Sequence, residues 1–95
     1  MAFTNEIVRA VWEKGTIISN NDPAIWRKDA CGAWMRWSDY GNRNSQYGWE
    51  VDHINPHGTD ALSNLRPLQW ENNTDKSDGR LRCNVTSSGP DNTRR

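Results

Sequence analysis

The sequence predicts a small α+β fold, because one stretch has helical periodicity and two others alternate as strands do. Apolar residues recur at helical spacing within residues 5–14, and Gly15 follows as a stop signal. Residues 33–37 and 49–54 have side chains that alternate in character. A chain of 95 residues suits one hydrophobic core. We therefore expect a single domain with an N-terminal helix and short antiparallel strands.

The second half of the chain predicts a hairpin followed by a helix. Residues 49–54 form the expected first strand, residues 55–63 the connection and residues 65–69 the returning strand. A helix is then expected from residue 70 to about residue 78, because glycine follows as a natural end.

The C-terminal segment, residues 85–95, is rich in Ser, Gly, Pro and Asn, a composition that favours disorder. We expect this segment to be a disordered tail outside a domain of residues 1–84. The functional centre of that domain is expected at about residues 49–78.

Composition limits the classes of function. The apolar fraction is 34%, too low for a segment that crosses a bilayer, so no membrane partner is expected. The first residues lack the basic and apolar regions of a secretory signal, which predicts a cytoplasmic location. Basic and acidic residues balance at 12 each, so any binding of nucleic acid must depend on a local basic face.

The cysteines, Cys31 and Cys83, are far apart in sequence and belong to no Cys-x-x-Cys pair. A disulfide is one alternative, but free thiols are favoured in a chain expected to occupy a reducing compartment. A structural zinc ion usually needs four soft ligands, which the sequence does not offer, so no structural zinc is expected.

Six tryptophans are many for so short a chain. They let a small core bury a large area per residue. For Trp26, Trp34 and Trp37 we favour core packing, and a surface on which bases stack is the alternative.

Asp52 and His53 are the candidate chemical groups at the end of the 49–54 strand. A carboxylate is a hard oxygen ligand suited to Mg²⁺ or Mn²⁺. Successive strand side chains point to opposite faces, so Asp52 and His53 should not both hold one ion. The carboxylate can hold a metal while the imidazole deprotonates a water molecule that attacks a phosphodiester.

Three segments in register resemble the HNH endonucleases, also called ββα-metal nucleases. Residues 52–56 read Asp-His-Ile-Asn-Pro, residues 64–68 read Asn-Leu-Arg-Pro-Leu and residues 73–76 read Asn-Thr-Asp-Lys. These fit the family pattern Asp/His-His-Ile/Val-x-Pro, Asn-Leu-x-x-Leu and His/Asn-x-x-Lys. Upstream, residues 27–32 and 40–41 look like the lead-in of many bacterial and phage members.

The resemblance implies a role for each matched residue. Asp52 and Asn73 would be the metal ligands, and His53 would be the general base. Asn64 would pin the hairpin connection through side-chain hydrogen bonds to the backbone. Lys76 would lie near the phosphate or brace the helix.

The chain also departs from the family pattern. Many members have His where this chain has Asn73, and an amide oxygen is harder than an imidazole nitrogen. One divalent ion, Mg²⁺ or Mn²⁺, is therefore expected rather than Zn²⁺ or Ni²⁺. Members with a zinc staple have Cys at the positions of Gln69 and Asn72, so packing around Trp49 and Trp70 is expected to replace the staple.

The expected function is therefore metal-dependent hydrolysis of nucleic-acid phosphodiesters, with DNA favoured as substrate and partner. A non-catalytic DNA-binding module and an RNA-cleaving nuclease are the alternatives. Activity should fall in acid, because His53 must be neutral to act as a base. The oligomeric state stays open, with a larger nuclease or a phage assembly as conceivable partners. The expected nucleic-acid contacts are Arg36, Arg66, Lys76 and Arg80.

Overall fold

Helix α1 (Asn5–Trp12) opens residues 3–95, the part of the chain that the computed structural model describes. The hydroxyl of Thr4 caps this helix by accepting a hydrogen bond from the backbone N–H of Ile7. The helix packs one face on the core, as predicted, and it ends at Trp12 rather than at Lys14. The buried residues of that face are Val8, Val11 and Trp12.

Six strands pair as three antiparallel hairpins within residues 3–95, which confirms the predicted α+β class. The pairs are β1 (Trp26–Lys28) with β2 (Trp34–Arg36), β3 (Trp49–His53) with β4 (Leu65–Gln69), and β5 (Val85–Ser88) with β6 (Asp91–Arg94). The strands predicted at 33–37, 49–54 and 65–69 are present as β2, β3 and β4.

Helix α2 (Trp70–Thr74) follows β4 directly, and we call β3, β4 and α2 the ββα unit. The predicted extension of this helix to Asp78 is wrong, because the helix ends at Thr74. Asn, Thr and Asp are weak helix formers. Asp78 and Gly79 both have positive φ, which turns the chain away from a helical path.

The predicted disorder of residues 85–95 is also wrong, because β5 and β6 form a hairpin there. Asn92 attaches this hairpin to β2: its Oδ1 accepts from the backbone N–H of Trp34 at 2.6 Å, and its Nδ2 donates to the Trp34 carbonyl at 3.0 Å. The polar composition that suggested disorder thus supplies hydrogen bonds to the rest of the protein. The segment belongs with the structure of residues 3–84 rather than outside it.

The core is dominated by tryptophan. Trp12 and Trp49 are at most 1% exposed, and their ring centroids lie 5.1 Å apart. Trp37 packs partly buried against the same cluster, and Trp34 is buried beside β6. The favoured core role is therefore confirmed for Trp34 and Trp37, while Trp26 is only half-buried and packs on Trp34 and Tyr47.

The expected free thiols are wrong, because Cys31 and Cys83 form a disulfide. Cys31 lies in the turn between β1 and β2, and Cys83 lies just before β5. Their Cα atoms are 5.1 Å apart, although 52 positions separate them in sequence. Only the folded chain brings these residues together, which explains why their spacing in sequence carried no signal.

A buried polar cluster lies beside this disulfide, and we call it the Asp29 network. Asp29 Oδ1 accepts from the backbone N–H of Cys31 and of Ala33, both at 2.9 Å. Its Oδ2 accepts from the backbone N–H of Gln69 at 3.0 Å and from Asn72 Nδ2 at 3.1 Å. The two positions at which a zinc staple would need Cys are thus tied to the β1–β2 turn by hydrogen bonds. The prediction named only tryptophan packing in place of the zinc staple. It was therefore incomplete, because hydrogen bonds to Asp29 also hold these two positions.

Candidate functional site

The two faces of β3 carry different groups. Glu50 and Asp52 point to the side from which α2 and the segment after it approach, because Asn73 contacts Glu50 and Lys76 contacts Asp52. Trp49 is buried in the core on the other face, which His53 shares by strand alternation. Asp52 and His53 therefore lie on opposite faces, as the strand pattern predicted.

Asp52 is only 3% exposed and is held by two cations. Arg66, its partner across the hairpin, places Nε 2.7 Å from Oδ2. The Lys76 ammonium contacts Oδ1 and also donates to the carbonyl of His53 at 3.1 Å. A buried carboxylate needs such compensation, so these cations make the burial of Asp52 possible.

Asn73, the second expected metal ligand, is oriented by Glu50. Its Nδ2 donates to Glu50 Oε1 at 2.8 Å. The side-chain oxygen Oδ1 is thus the end of the amide that would bind a ligand. Arg43 forms two further bonds to Glu50, at 2.7 and 2.9 Å. Burial alone would raise the pKa of Glu50, but the hydrogen bonds from Arg43 and Asn73 and the Arg43 charge lower it overall.

The donors at this face suit a hard cation in their chemistry. Asp52 and Asn73 would offer a carboxylate and an amide oxygen, the ligand types that Mg²⁺ and Mn²⁺ prefer. The Lys76 ammonium already sits between Asp52 Oδ1 and the carbonyl of His53, so a positive charge is accommodated there. However, Asp52 contacts Arg66 and Lys76 while Asn73 contacts Glu50. A divalent ion on Asp52 would therefore compete with the ammonium of Lys76.

His53 is accessible, with 32% of its side chain exposed. Its Nε2 lies 2.6 Å from Asp60 Oδ1, and the ring of Phe3 is 6.0 Å away between centroids. The imidazole is therefore open to solvent rather than sealed in an apolar environment. Its expected role as a base requires this access.

Asn64 makes the backbone contacts expected of it. Its Oδ1 accepts from the N–H of Asn55 at 2.9 Å, and its Nδ2 donates to the carbonyls of Asn55 and Thr59 at 3.0 and 2.8 Å. A Cβ atom on Gly58 would lie 2.7 Å from the Asn64 amide nitrogen, so only glycine fits there without a shift. Asn64 thus connects the two ends of the loop between β3 and β4.

The remaining candidate basic residues do not form one cluster with Asp52 and His53. Arg36 lies on β2, pairs with Asp39 at 2.8 Å and lies over the rings of Trp26 and Tyr47. Arg80 is exposed, and its backbone pairs with Ser77 in the turn after α2. Of the expected phosphate contacts, only Arg66 and Lys76 adjoin Asp52.

Sequence reasoning missed Glu50 and Asp60, which contact Asn73 and His53, and it missed Arg43, which holds Glu50. Glu50 had a usable signal, because it lies two positions before Asp52 and therefore on the same strand face. Arg43 and Asp60 lie in irregular segments without periodicity, so no pattern placed them.

No protein-family model, no curated protein and no solved structure matches the chain. The candidate site therefore depends on the motif residues and on their contacts. Within residues 3–95, neither helix is long and apolar enough to cross a membrane.

Proposed function

We propose that the chain is a metal-dependent endonuclease that hydrolyses nucleic-acid phosphodiesters, with DNA as the favoured substrate. One observation carries this proposal: β3 ends in a buried carboxylate, Asp52, followed by an accessible imidazole, His53, on the opposite face. A nuclease of this kind needs a hard ligand for a cation and a nearby proton acceptor. The HNH resemblance of the same segments supports the same assignment.

In the proposed reaction, His53 accepts a proton from a water molecule while the water oxygen attacks phosphorus. The bond from phosphorus to the leaving 3′ oxygen breaks, and that oxygen takes a proton from solvent. Asp52 and Asn73 would hold Mg²⁺ or Mn²⁺, which supplies neutralisation of the charge on the reacting phosphate. The proposed phosphate contacts are Arg36, Arg66, Lys76 and Arg80.

Arg66 and Lys76 have two tasks in this proposal. They pair with Asp52 in the structure, and they would turn towards phosphate when nucleic acid and the cation bind. Their long side chains, 20% and 13% exposed, can reach solvent without moving the backbone.

The pairing of Asp52 with two cations favours one rival function. A carboxylate that is permanently paired with Arg66 and Lys76 holds no metal, and the domain would then be a DNA-binding module without cleavage. An RNA-cleaving nuclease is the other alternative, and it differs from the proposal only in substrate.

A plasmid-nicking assay tests the proposal. Supercoiled DNA and a structured RNA are incubated with the protein in Mg²⁺, Mn²⁺, Zn²⁺ or chelator. We expect cutting of DNA with Mg²⁺ or Mn²⁺, and a loss of about 100-fold or more in His53→Ala, the usual worth of a general base. The chain offers a matched control in His57→Ala, because His57 is an exposed histidine in the loop after β3 and its replacement should keep full activity.

The outcomes separate the three functions. Cutting of RNA alone supports the RNA nuclease, and binding of DNA without any cutting supports the binding module. Equal loss in His53→Ala and His57→Ala would contradict the assignment of His53 as the base.

The cellular compartment needs its own test. A cytoplasmic location was expected, but reducing compartments keep thiols free, so the Cys31–Cys83 disulfide favours an oxidising one. Labelling of free thiols in protein taken from its native source distinguishes a reducing from an oxidising compartment. Two labelled cysteines would support the cytoplasm, and none would support an oxidising compartment.

A further inference from the structure

The contact between His53 and Asp60 is not accounted for by the motif residues. Asp60 Oδ1 lies 2.6 Å from His53 Nε2, close enough for a hydrogen bond between the ring and the carboxylate. Asp60 lies in the loop between β3 and β4, and half of its side chain is exposed. A carboxylate only accepts at neutral pH, so this contact requires a proton on Nε2.

Asn64 fixes the position from which Asp60 reaches the ring. Its Nδ2 donates at 2.8 Å to the carbonyl of Thr59, the residue immediately before Asp60. The Thr59 hydroxyl accepts a hydrogen bond at 3.2 Å from the N–H of Ala61, the residue immediately after Asp60. Both chain neighbours of Asp60 are thus tied down, although Asp60 itself lies in no helix or strand. The carboxylate is delivered to His53 by this arrangement rather than by a strand or a helix.

We propose that Asp60 is the positioning residue of His53: it accepts the Nε2 proton and leaves Nδ1 unprotonated to take a proton from water. The inference rests on the proposed function, in which His53 is the base. A neutral imidazole has one donor and one acceptor nitrogen, and the partner of the donor decides which tautomer forms. Asp60 also fixes the ring orientation, because its carboxylate is placed by the loop.

This inference gives Asn64 an indirect role. Its hydrogen bond to Thr59 places Asp60, and Asp60 then sets the imidazole. The order of dependence is therefore Asn64, Thr59, Asp60 and His53, and only His53 touches the reacting atoms.

The tautomer can be observed without activity. Two-bond ¹H–¹⁵N spectra of the imidazoles, recorded with chelator at mildly alkaline pH, distinguish a protonated from an unprotonated ring nitrogen. In the wild-type chain, we expect His53 to carry its proton on Nε2. In Asp60→Ala the two nitrogens should average towards the mixture of a free histidine. Asp60→Asn should not keep the wild-type pattern, because its amide can turn its NH₂ group to Nε2 and favour the proton on Nδ1. His57 in the same spectra is the internal control and should not change.

Cleavage kinetics supply the second readout. Asp60→Ala should lower kcat about 10-fold to 100-fold, the usual range for a residue that orients a reactive group, with KM nearly unchanged. Asp60→Asn should not recover this loss, because an imidazole protonated on Nδ1 cannot take a proton from water at that nitrogen. Glu13→Ala removes an exposed carboxylate at the end of α1 and should change neither parameter.

Two results would overturn the inference: a wild-type His53 protonated on Nδ1, or an Asp60→Ala spectrum identical to the wild type. A failure of the proposed function looks different. In that case the tautomer responds to Asp60 as expected, but neither DNA nor RNA is cut with any metal.

Discussion

Asp29 and Asp52 are equally buried, at 3% exposed each, yet they are compensated in different ways. Asp29 accepts four hydrogen bonds from neutral donors, three of which are backbone N–H groups. Asp52 is paired with the charged ends of Arg66 and Lys76. The three backbone donors of Asp29 cannot leave without unfolding of their segments, whereas both partners of Asp52 are side chains that can rotate away.

The difference separates a structural carboxylate from an exchangeable one. Asp29 joins the β1–β2 turn to the start of α2, and Asn72 extends the connection to β5 through Val85. Under the proposed function, Asp52 contributes less to the fold, because Arg66 and Lys76 turn to solvent and leave the carboxylate to another cation. A buried acid is thus a candidate ligand only when its present partners can be displaced.

The largest effect is expected from removal of the disulfide beside Asp29. Replacing Cys31 and Cys83 by Ser frees a loop that spans 52 positions. The chain-entropy relation then gives a loss of about 4 kcal/mol in the free energy of unfolding. Urea unfolding of the oxidised wild type and the double variant measures it. A loss below about 1 kcal/mol would show that the Asp29 network holds this region by itself.

Asp29→Asn should be the next most damaging change. The variant places an amide NH₂ against N–H donors, so the two donors that faced the lost oxygen have no acceptor. We expect a loss of about 3 kcal/mol in unfolding free energy, because each buried unpaired donor costs about 1–3 kcal/mol. Denaturation in urea checks this value, and a near-neutral result would mean that the network is not structural.

Asp52→Asn is the matched substitution at the exchangeable site. Asn keeps one oxygen for a cation, and the other cation can turn to water, so the expected loss is only about 1 kcal/mol. If the proposed function holds, the variant also loses binding of Mn²⁺, which calorimetric titration measures, and DNA cutting with it. The comparison fails if Asp52→Asn destabilises the protein as much as Asp29→Asn does.

Acid should have the smallest effect, and we expect it to act through the hydrogen-bonded carboxyls of Asp75 and Glu50. The pKa of Asp75 is lowered by hydrogen bonds from Asn84 and Arg94 and further by the Arg94 charge, although burial alone would raise it. The pKa of Glu50 is lowered by Arg43 and Asn73 despite its burial. Because the folded values lie below the unfolded ones, the stabilisation is present at neutral pH and is lost as pH falls through the folded pKa.

Thermal melts between about pH 5 and about pH 3 measure this dependence. We expect the melting temperature to fall across this range in the wild type and to fall less in Glu50→Gln, which cannot take up the proton. An identical slope in both proteins would assign the acid sensitivity to other carboxyls.

Local signals explain the parts of the fold that the sequence predicted. The helical spacing around Val8 and Val11 and the alternation from Trp49 to His53 are properties of neighbouring residues, and both elements are present. The wrong expectations of a disordered C-terminal segment and of free thiols involve long-range contacts. Trp34 and Asn92 are 58 positions apart, so no local pattern could show that the last residues form a hairpin against β2. The disulfide and the Asp29 network were missed for the same reason.

The candidate site was predicted to a similar extent. Motif spacing selected Asp52, His53, Asn64 and Asn73, and strand alternation separated the first two by face. The spacing could not show that the side chains of Arg66 and Lys76 contact Asp52. Long cationic side chains turn towards a buried carboxylate, and the sequence does not show which carboxylate is buried. Asp60 was missed because it lies in an irregular stretch of the loop, which hydrogen bonds such as those of Asn64 and Thr59 organise.

The β5–β6 hairpin has a practical consequence for anyone who handles this protein. The indole of Trp34 donates to the Gly89 carbonyl, and Asn92 covers the adjacent backbone. A recombinant fragment trimmed after residue 84 would bare that indole and the edge of β2 to water. Such a fragment would be prone to self-association, so affinity tags should be appended beyond Arg95 and not substituted for the final residues.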